Sequence, residues 1–343
     1  MSVENVCIIG SGNWGSAIAK IVGENTARHS NVFQRNVRQW VFEENVNGQK
    51  LTDIINTQHE NVKYLAGVPL PTNVVAIPDV VEACKGATLI VFVLPHQFVR
   101  GVCEKMKGHL APNARAISLI KGLEITPQGT RLFSEEISRI LDIPCAALSG
   151  ANIADEVARE KFCESTVGCT HVADGQVFHK LFDAPYFRIN VVQDHVGVQL
   201  CGALKNVVAV GAGLSDGLGF GSNTKSAIVR RGLVEMRKFG QTFFGDVVQT
   251  ETFFESCGVA DLLTTCMGGR NRKVAEAFAK TGKPIDQLEA ELLNGQKLQG
   301  TLTAKEVNEF LTARNMVEEF PLFTTVYRIC YEGLDMHAIV RDI

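Results

Sequence analysis

Residues 3–9 form a near-continuous apolar run, the pattern of a strand buried on both faces, and residues 16–22 follow it with helical spacing. Further short apolar runs at 37–42, 74–77, 89–94, 116–119 and 145–149 predict strands. Between them, helical stretches are expected around 80–84, 97–107 and 129–141. Such alternation predicts right-handed crossovers and a doubly wound, mostly parallel sheet, which 162–168 and 187–192 extend as two further strands. After about residue 193 the period changes. Segments 196–212, 224–244, 273–281, 285–294, 302–314 and 322–333 carry helical spacing with Gly or Pro punctuation, and no strand stands out. The expected class is therefore α/β, with a sheet domain over 1–192 and an all-helical domain over 193–343. No Gly/Ser/Pro linker separates the two, so a tight interface of the kind that holds substrates is expected.

Length and composition fit this division. At roughly 100–200 residues per domain, 343 residues make two domains. Hydrophobic residues are 45% and charged residues 21%, which rules out general disorder. The 34 basic and 37 acidic residues give a net charge of −3, shared evenly: 18 and 19 in residues 1–192, 16 and 18 in the rest. Nucleic acid as a partner is disfavoured, since it calls for a basic stripe. No unbroken apolar run reaches the ~18 residues of a membrane span. Residues 1–10 carry neither the basic flank nor the cleavage pattern of a secretory signal, and 340–343 form no peroxisomal or prenylation ending. A cytoplasmic protein is expected. The ten cysteines lack a Cys-x-x-Cys pair or zinc spacing and sit mostly in apolar runs, which predicts buried reduced thiols and no metal site; a catalytic cysteine is the lesser reading.

Gly10-Ser11-Gly12-Asn13-Trp14-Gly15 directly follows the first strand and opens the first helix. Gly10 permits a tight turn, Gly12 lets backbone approach a pyrophosphate, and Gly15 lets helix and strand pack closely, with the helix N-terminus facing the anion. This context makes the sheet domain Rossmann-type and predicts a dinucleotide. The acidic ribose ligand usual some 20 residues on comes late here, as Glu43-Glu44 after Phe42, beyond a polar segment from 24 to 36 that reads as an inserted loop or helix extension. An acidic end without a neighbouring Arg favours NAD over NADP.

Other loci bring cations or amides into apolar surroundings. Lys121 ends a strand at the sheet edge where open α/β folds bind ligands. His96 and Phe98 close another strand there; His96 reads equally as structural, and Phe98 as cofactor-stacking or core. Lys205 is the only charge among small and aliphatic residues from His195 to Ser215. Burying an unpaired ammonium is costly, so it either reaches solvent or is held for a purpose. Desolvation and a neighbouring cation such as Lys121 would suit it to proton transfer. Asp261 and Thr265, four apart, share one face of a helix and place a carboxylate to orient a lysine. Gly268-Gly269-Arg270-Asn271-Arg272, ahead of the helix expected from Lys273, forms a phosphate cradle or, alternatively, a glycine cap followed by a solvated Arg pair.

Together these stretches, with 56–65, Gly202 to Asn223 and 293–300, resemble NAD-dependent glycerol-3-phosphate dehydrogenase of the eukaryotic cytosolic type over essentially the whole chain. The resemblance implies reversible reduction of dihydroxyacetone phosphate by NADH, with a phosphorylated triose as partner and a homodimer as assembly. It implies Lys205 as general acid/base, with Lys121, Asn152, Asp261 and Thr265 as the polar shell around the reacting oxygen. Arg270 and Asn271 match the phosphate-binding pair, and Lys121 also faces substrate. Gly10, Ser11, Gly12, Asn13, Trp14, Gly15, Phe42, Phe98, Lys121, Ala154, Arg270, Lys297 and Gln299 match the cofactor contacts. Gln199, Ser222 and Met267 depart from the family's usual Asp/Glu, Asp and Tyr. Two rival readings are another member of the hydroxyacid or phosphogluconate dehydrogenase class, and a non-catalytic NAD(H)-sensing scaffold.

Overall fold

The computed structural model describes residues 3–341 and 343. Met1, Ser2 and Asp342, part of the two ends read for targeting signals, lie outside the described residues. The chain divides into two compact units: residues 1–121 with 132–195, and residues 122–131 with 196–343.

Among the described residues twelve strands run in chain order: β1 Val6–Ile9, β2 Val37–Trp40, β3 Asn45–Val46, β4 Gln49–Lys50, β5 Val74–Ile77, β6 Leu89–Phe92, β7 Arg115–Ser118, β8 Leu123–Thr126, β9 Gly129–Leu132, β10 Cys145–Ser149, β11 Cys163–Gly168 and β12 Phe187–Val192. Eight make one sheet in the order β12-β11-β10-β7-β6-β1-β2-β5. Every pairing in it is parallel except β10 with β11. Alternate residues of β1 enter different cores: Val6 and Ile8 join the cluster built with helices Asn13–Arg28 and Val172–Phe182, while Cys7 and Ile9 join the one built with Val80–Cys84, Val99–Met106 and Phe133–Leu141. Burial on both faces explains why this strand reads as an unbroken apolar run. From β1 the chain steps outward to β2 and β5, then returns to the other side of β1 as β6, β7 and β10. The loops after β1 and β6 therefore diverge, and such a switch point is where ligands bind in open α/β sheets.

The strands expected at 74–77, 145–149 and 187–192 have those bounds, and the others differ by a few residues. Residues 129–141 differ in kind. They begin as β9, which turns back on β8, and become helical only at Phe133. Leu123 and Ile125 are buried while Glu124 is exposed, a two-residue alternation, and the turn closes through mutual bonds between Thr126 and Gly129. Most of this hairpin belongs to the second unit, which is thus helical with one β-ribbon rather than purely helical.

The second unit is organised by the helix His195–Gly217, of which nearly every residue from Val196 to Ser215 is buried. By length and composition this helix could cross a membrane, with a mean hydropathy of 1.3 over 18 residues, contrary to the expectation that no segment would. Its polar interruptions break the run without lowering the average enough. Since 94% of that window is buried within the protein, it is the core helix of this unit. Phe239 packs at 4.8–5.9 Å between ring centres with Phe243 of its own helix Ser222–Phe244, with Phe310 of the helix Gln299–Thr312, and with Phe320, which caps the helix Pro321–Tyr331.

Candidate active site

In the sheet unit, the candidate residues stand at the carboxyl ends of parallel strands: Gly10 to Gly15 after β1, Phe42 after β2, Phe98 after β6, Lys121 after β7, and Asn152 and Ala154 after β10. Gly10 has φ +123°, and a Cβ there would stand 2.7 Å from the Val93 carbonyl oxygen. A Cβ on Gly15 would stand 2.6 Å from the Gly10 oxygen, so helix and turn meet through glycine. A Cβ on Gly12 would meet nothing within 4 Å. No packing demand for glycine exists at that position, whereas a pyrophosphate laid on the helix N-terminus would demand one. Gly12 caps the helix Asn13–Arg28 without a side-chain bond, and the first turn carries no acidic residue. Its amides are therefore suited to an anion. This cradle fits a dinucleotide's phosphates.

Phe42 and Phe98, at 69% and 55% exposure, are large apolar rings left on the surface beside this turn's strand edge, a disposition that suits stacking on a planar ligand and rules out the core reading of Phe98. His96 is stacked on Phe133 at 5.4 Å, which gives it a structural contact. Trp14 packs on Phe187 and the core, so its backbone rather than its ring is available. Glu43 accepts from the Thr52 amide and hydroxyl, and Glu44 from Lys63 and the Tyr64 hydroxyl, both at 2.7 Å. The Lys63 bond holds the Glu44 carboxyl below its ordinary range. The polar segment 24–36 divides between the last turn of the first helix, ending at Arg28, and a loop anchored by buried Phe33. Lys121 is exposed and donates to the Gly150 carbonyl at 3.2 Å, while half-buried Asn152 donates to the Ser165 hydroxyl at 2.7 Å. Two buried amides unmarked in the sequence, Gln39 and Asn61, bond the glycine turn itself.

In the helical unit, Lys205 is 6% exposed and its Nζ lies 2.5 Å from Asp261 Oδ1, itself 3% exposed. A carboxylate is thus one partner of this ammonium. Asp261 opens the helix Asp261–Gly268 directly after a π-helical turn over Ser256–Ala260, a local irregularity that often marks functional positions. Thr265 donates to the Asp261 carbonyl at 2.6 Å, which keeps it on the same face. The next helix starts at Arg270, three residues before its expected start, with Gly269 as an N-cap that makes no side-chain bond. Arg270 is exposed and donates to Gln296 at 2.8 Å. Arg272 is no part of a phosphate fork: it pairs with Asp216 at 2.6 Å and Glu276 at 2.9 Å, and Lys225 shares Asp216. Asn271 is 7% exposed; its oxygen accepts from the Gly300 amide and its nitrogen donates to Asn206, which leaves one amide hydrogen for a ligand. Asn206 and Gly300, not singled out in the sequence, thus fix the helix start from which Arg270 projects. Lys297 and Gln299 are exposed, bonded to Glu289 and Thr303.

Of the ten cysteines seven are buried, and Cys145, Cys163 and Cys330 are intermediate. Burial pushes Cys103, Cys266 and Cys330 up to about 12, far from the thiolate a nucleophile needs. Among the described residues no group of three His, Cys, Asp or Glu could hold a metal. A cavity of about 320 Å3 between helices Ser222–Phe244 and Asp261–Gly268 is lined by none of the candidate residues.

Comparison with known proteins decides among the dehydrogenase classes. Residues 5–174 match the model of the NAD-dependent glycerol-3-phosphate dehydrogenase N-terminus, and residues 194–341 that of its C-terminus. The chain belongs to the NAD-dependent glycerol-3-phosphate dehydrogenase family. It is 60% identical over 341 residues to the cytoplasmic glycerol-3-phosphate dehydrogenase [NAD(+)] of Mus musculus, covering 99% of this chain and 97% of that one. The Homo sapiens counterpart is 60% identical over 333 residues, covering 97% and 95%. Among solved structures, the glycerol-3-phosphate dehydrogenase of Saccharomyces cerevisiae superposes with a TM-score of 0.96 at 49% identity over 98% of both chains. The protein is thus an NAD-dependent oxidoreductase with the Rossmann-type sheet and largely helical C-terminal region of this dehydrogenase family.

Proposed function

We propose that the protein interconverts dihydroxyacetone phosphate and sn-glycerol 3-phosphate in the cytoplasm with Lys205 as general acid/base. The buried Lys205–Asp261 pair carries this reading, because a desolvated ammonium held against a carboxylate, with Thr265 fixed beside it, is a proton donor of defined position. Residues 1–192 hold the cofactor and 193–343 supply catalysis. Gly10 to Gly15, Phe42, Phe98, Lys121 and Ala154, with Arg270, Lys297 and Gln299, bind NAD. When bound, the reduced nicotinamide supplies a hydride to the ketone carbon.

Lys205 delivers its proton to the oxygen that becomes anionic as the carbonyl is reduced, and recovers one from the hydroxyl in the reverse direction. Asp261 orients the ammonium. Lys121 and the Asn152 amide stabilise the developing charge by donating hydrogen bonds to that oxygen. Arg270, exposed at the start of an uncapped helix, grips the substrate phosphate with the remaining amide hydrogen of Asn271, and fixes the ketone for attack. The assembly is a homodimer. The experiment that tests this function follows NADH absorbance with dihydroxyacetone phosphate, beside unphosphorylated dihydroxyacetone and beside NADPH. With NADH, turnover of the phosphorylated ketone far above that of dihydroxyacetone is expected, and little with NADPH; turnover of a 3-hydroxy or sugar-acid substrate instead would transfer the protein to another dehydrogenase class.

A further inference from the structure

Two buried amides bond the glycine turn. Gln39, on β2 and fully buried, donates from Nε2 to the Gly10 carbonyl at 2.9 Å and the Gly15 carbonyl at 3.2 Å. Asn61, 1% exposed, donates from Nδ2 to the Ser11 carbonyl at 2.8 Å and the Ser16 hydroxyl at 2.9 Å, and Ser16 in turn donates to Ser11. The oxygen of Asn61 accepts from the Tyr64 amide, the Tyr64 carbonyl accepts from the Asn13 side chain, and the Tyr64 hydroxyl donates to Glu44. Neither amide touches open surface, and a purely space-filling role would be met better by an apolar side chain, since burying an amide is costly unless its bonds matter. The Gln39 oxygen is left with no partner among the described residues, so this side chain is retained for its nitrogen.

What the bonds share is their target. Three of them end on main-chain oxygens, at Gly10, Ser11 and Gly15; the N–H across the Gly15 peptide, that of Ser16, is bonded to Gly12 within the helix, so the peptides that can turn an amide toward a ligand are those of Gly10 and Ser11. A peptide whose oxygen is held into the protein presents its N–H away from it, and carbonyl oxygens facing a pyrophosphate would repel it. We infer that Gln39 and Asn61 are cofactor-positioning residues, which hold the carbonyls of the glycine turn inward so that its amides face the dinucleotide's pyrophosphate. This rests on the reading that NAD binds at this turn. Its consequence is specific: losing these donors weakens ligands that carry a pyrophosphate and spares those that do not.

The test compares the parent with Gln39→Met, which keeps shape and removes the donor, and with Asn61→Asp, which exchanges the donor for an acceptor. NADH affinity is read by fluorescence titration, adenosine affinity by competition, and folding by thermal melt. Expected is a tenfold or greater rise in the NADH dissociation constant in at least Gln39→Met, a KM for dihydroxyacetone phosphate at saturating NADH within twofold of the parent, and adenosine binding unchanged. NADH affinity within twofold of the parent in a folded variant overturns the inference, as does parallel loss of NADH and adenosine, which means general distortion. If the parent itself does not bind NADH, the cofactor reading fails instead. Should Asn61→Asp not fold, Gln39→Met decides alone, and Gln39→Glu, which again removes the donor, repeats the measurement.

Discussion

Lys205 and Asp261 meet at 2.5 Å with their side chains 7% and 4% exposed, so each is the answer to the other's burial. Removing one partner of a buried ion pair typically costs about 3–5 kcal/mol. Lys205→Ala is expected to lose about 10²–10⁴ in kcat, the range of a missing general acid, with NADH affinity within twofold of the parent. It should also lower the free energy of unfolding. The double change Lys205→Met with Asp261→Leu separates the two effects: stability returns and turnover does not. Near-normal turnover in Lys205→Ala would remove this amine as proton donor.

Arg270 leans on Gln296 yet remains exposed at the first turn of the helix Arg270–Thr281, where no acidic residue competes for the helix N-terminus. A guanidinium bond to phosphate contributes about 1.5–3 kcal/mol, so Arg270→Ala should reduce kcat/KM for dihydroxyacetone phosphate by roughly 10–10²-fold. At saturating NADH, which offsets the lost Arg270 contact to the cofactor, the slow reduction of unphosphorylated dihydroxyacetone should be unaffected. Equal losses on both ketones, measured side by side, would argue that Arg270 acts elsewhere than on the phosphate.

A sequence shows a site only where its residues stand out by type or by spacing. Lys205 is legible because a lone charge in the mostly apolar stretch from His195 to Ser215 has few explanations, and Gly10 to Gly15 because the run before it fixes its context. Asp261 was legible through its four-residue spacing from Thr265. By contrast, Gln39 and Asn206 are ordinary polar residues by type, and only the fold brings them to the glycine turn and to Asn271. The helix Val172–Phe182 was missed because Gly175 looks like a breaker; a Cβ there would stand 2.5 Å from Val191 and 2.6 Å from Cys169, so the glycine serves close packing on the sheet. The start at Arg270 was misplaced because Gly269 serves one helix's end and the next one's beginning. In β8 and β9, four-residue strands are too short for a two-residue period to stand out from a helical one.

Glycines of one motif should fail in opposite ways. Gly10 has φ +123° and no room for a Cβ, so Gly10→Ala is expected to destabilise the fold by about 1–3 kcal/mol. Gly12 has φ −65° and open space, so Gly12→Ala should cost at most about 1 kcal/mol, mostly through capping. NADH binding should nevertheless weaken at least tenfold in Gly12→Ala, as the added methyl occupies the approach to the helix N-terminus. Denaturant unfolding and NADH titration on the same samples check this, and unchanged NADH affinity in Gly12→Ala would place the pyrophosphate elsewhere.

The last expectation concerns pH and lies away from the chemistry. Glu235, 6% exposed on the helix Ser222–Phe244, accepts from the amides of Leu322 at 2.8 Å and Phe323 at 3.0 Å, capping the helix Pro321–Tyr331 from outside it. Burial pushes its carboxyl up to about 7, outweighing those two bonds and the nearby cations Lys238 and Arg231. The folded protein therefore retains a proton that the unfolded chain releases near its ordinary value of 4.5. Protons favour the native state between these values, so this contribution is fully present below about 4.5 and is lost as pH rises through about 7. Across that window it amounts to about 3 kcal/mol at most, at about 1.4 kcal/mol per unit. Glu235→Gln, which cannot ionise and keeps one acceptor oxygen, should flatten this part of the profile and leave the protein relatively more stable at pH 8 than at pH 5 when each is referred to the parent. Denaturant unfolding of both proteins at the two pH values measures the difference, and identical pH slopes would mean that Glu235 enters the core already ionised.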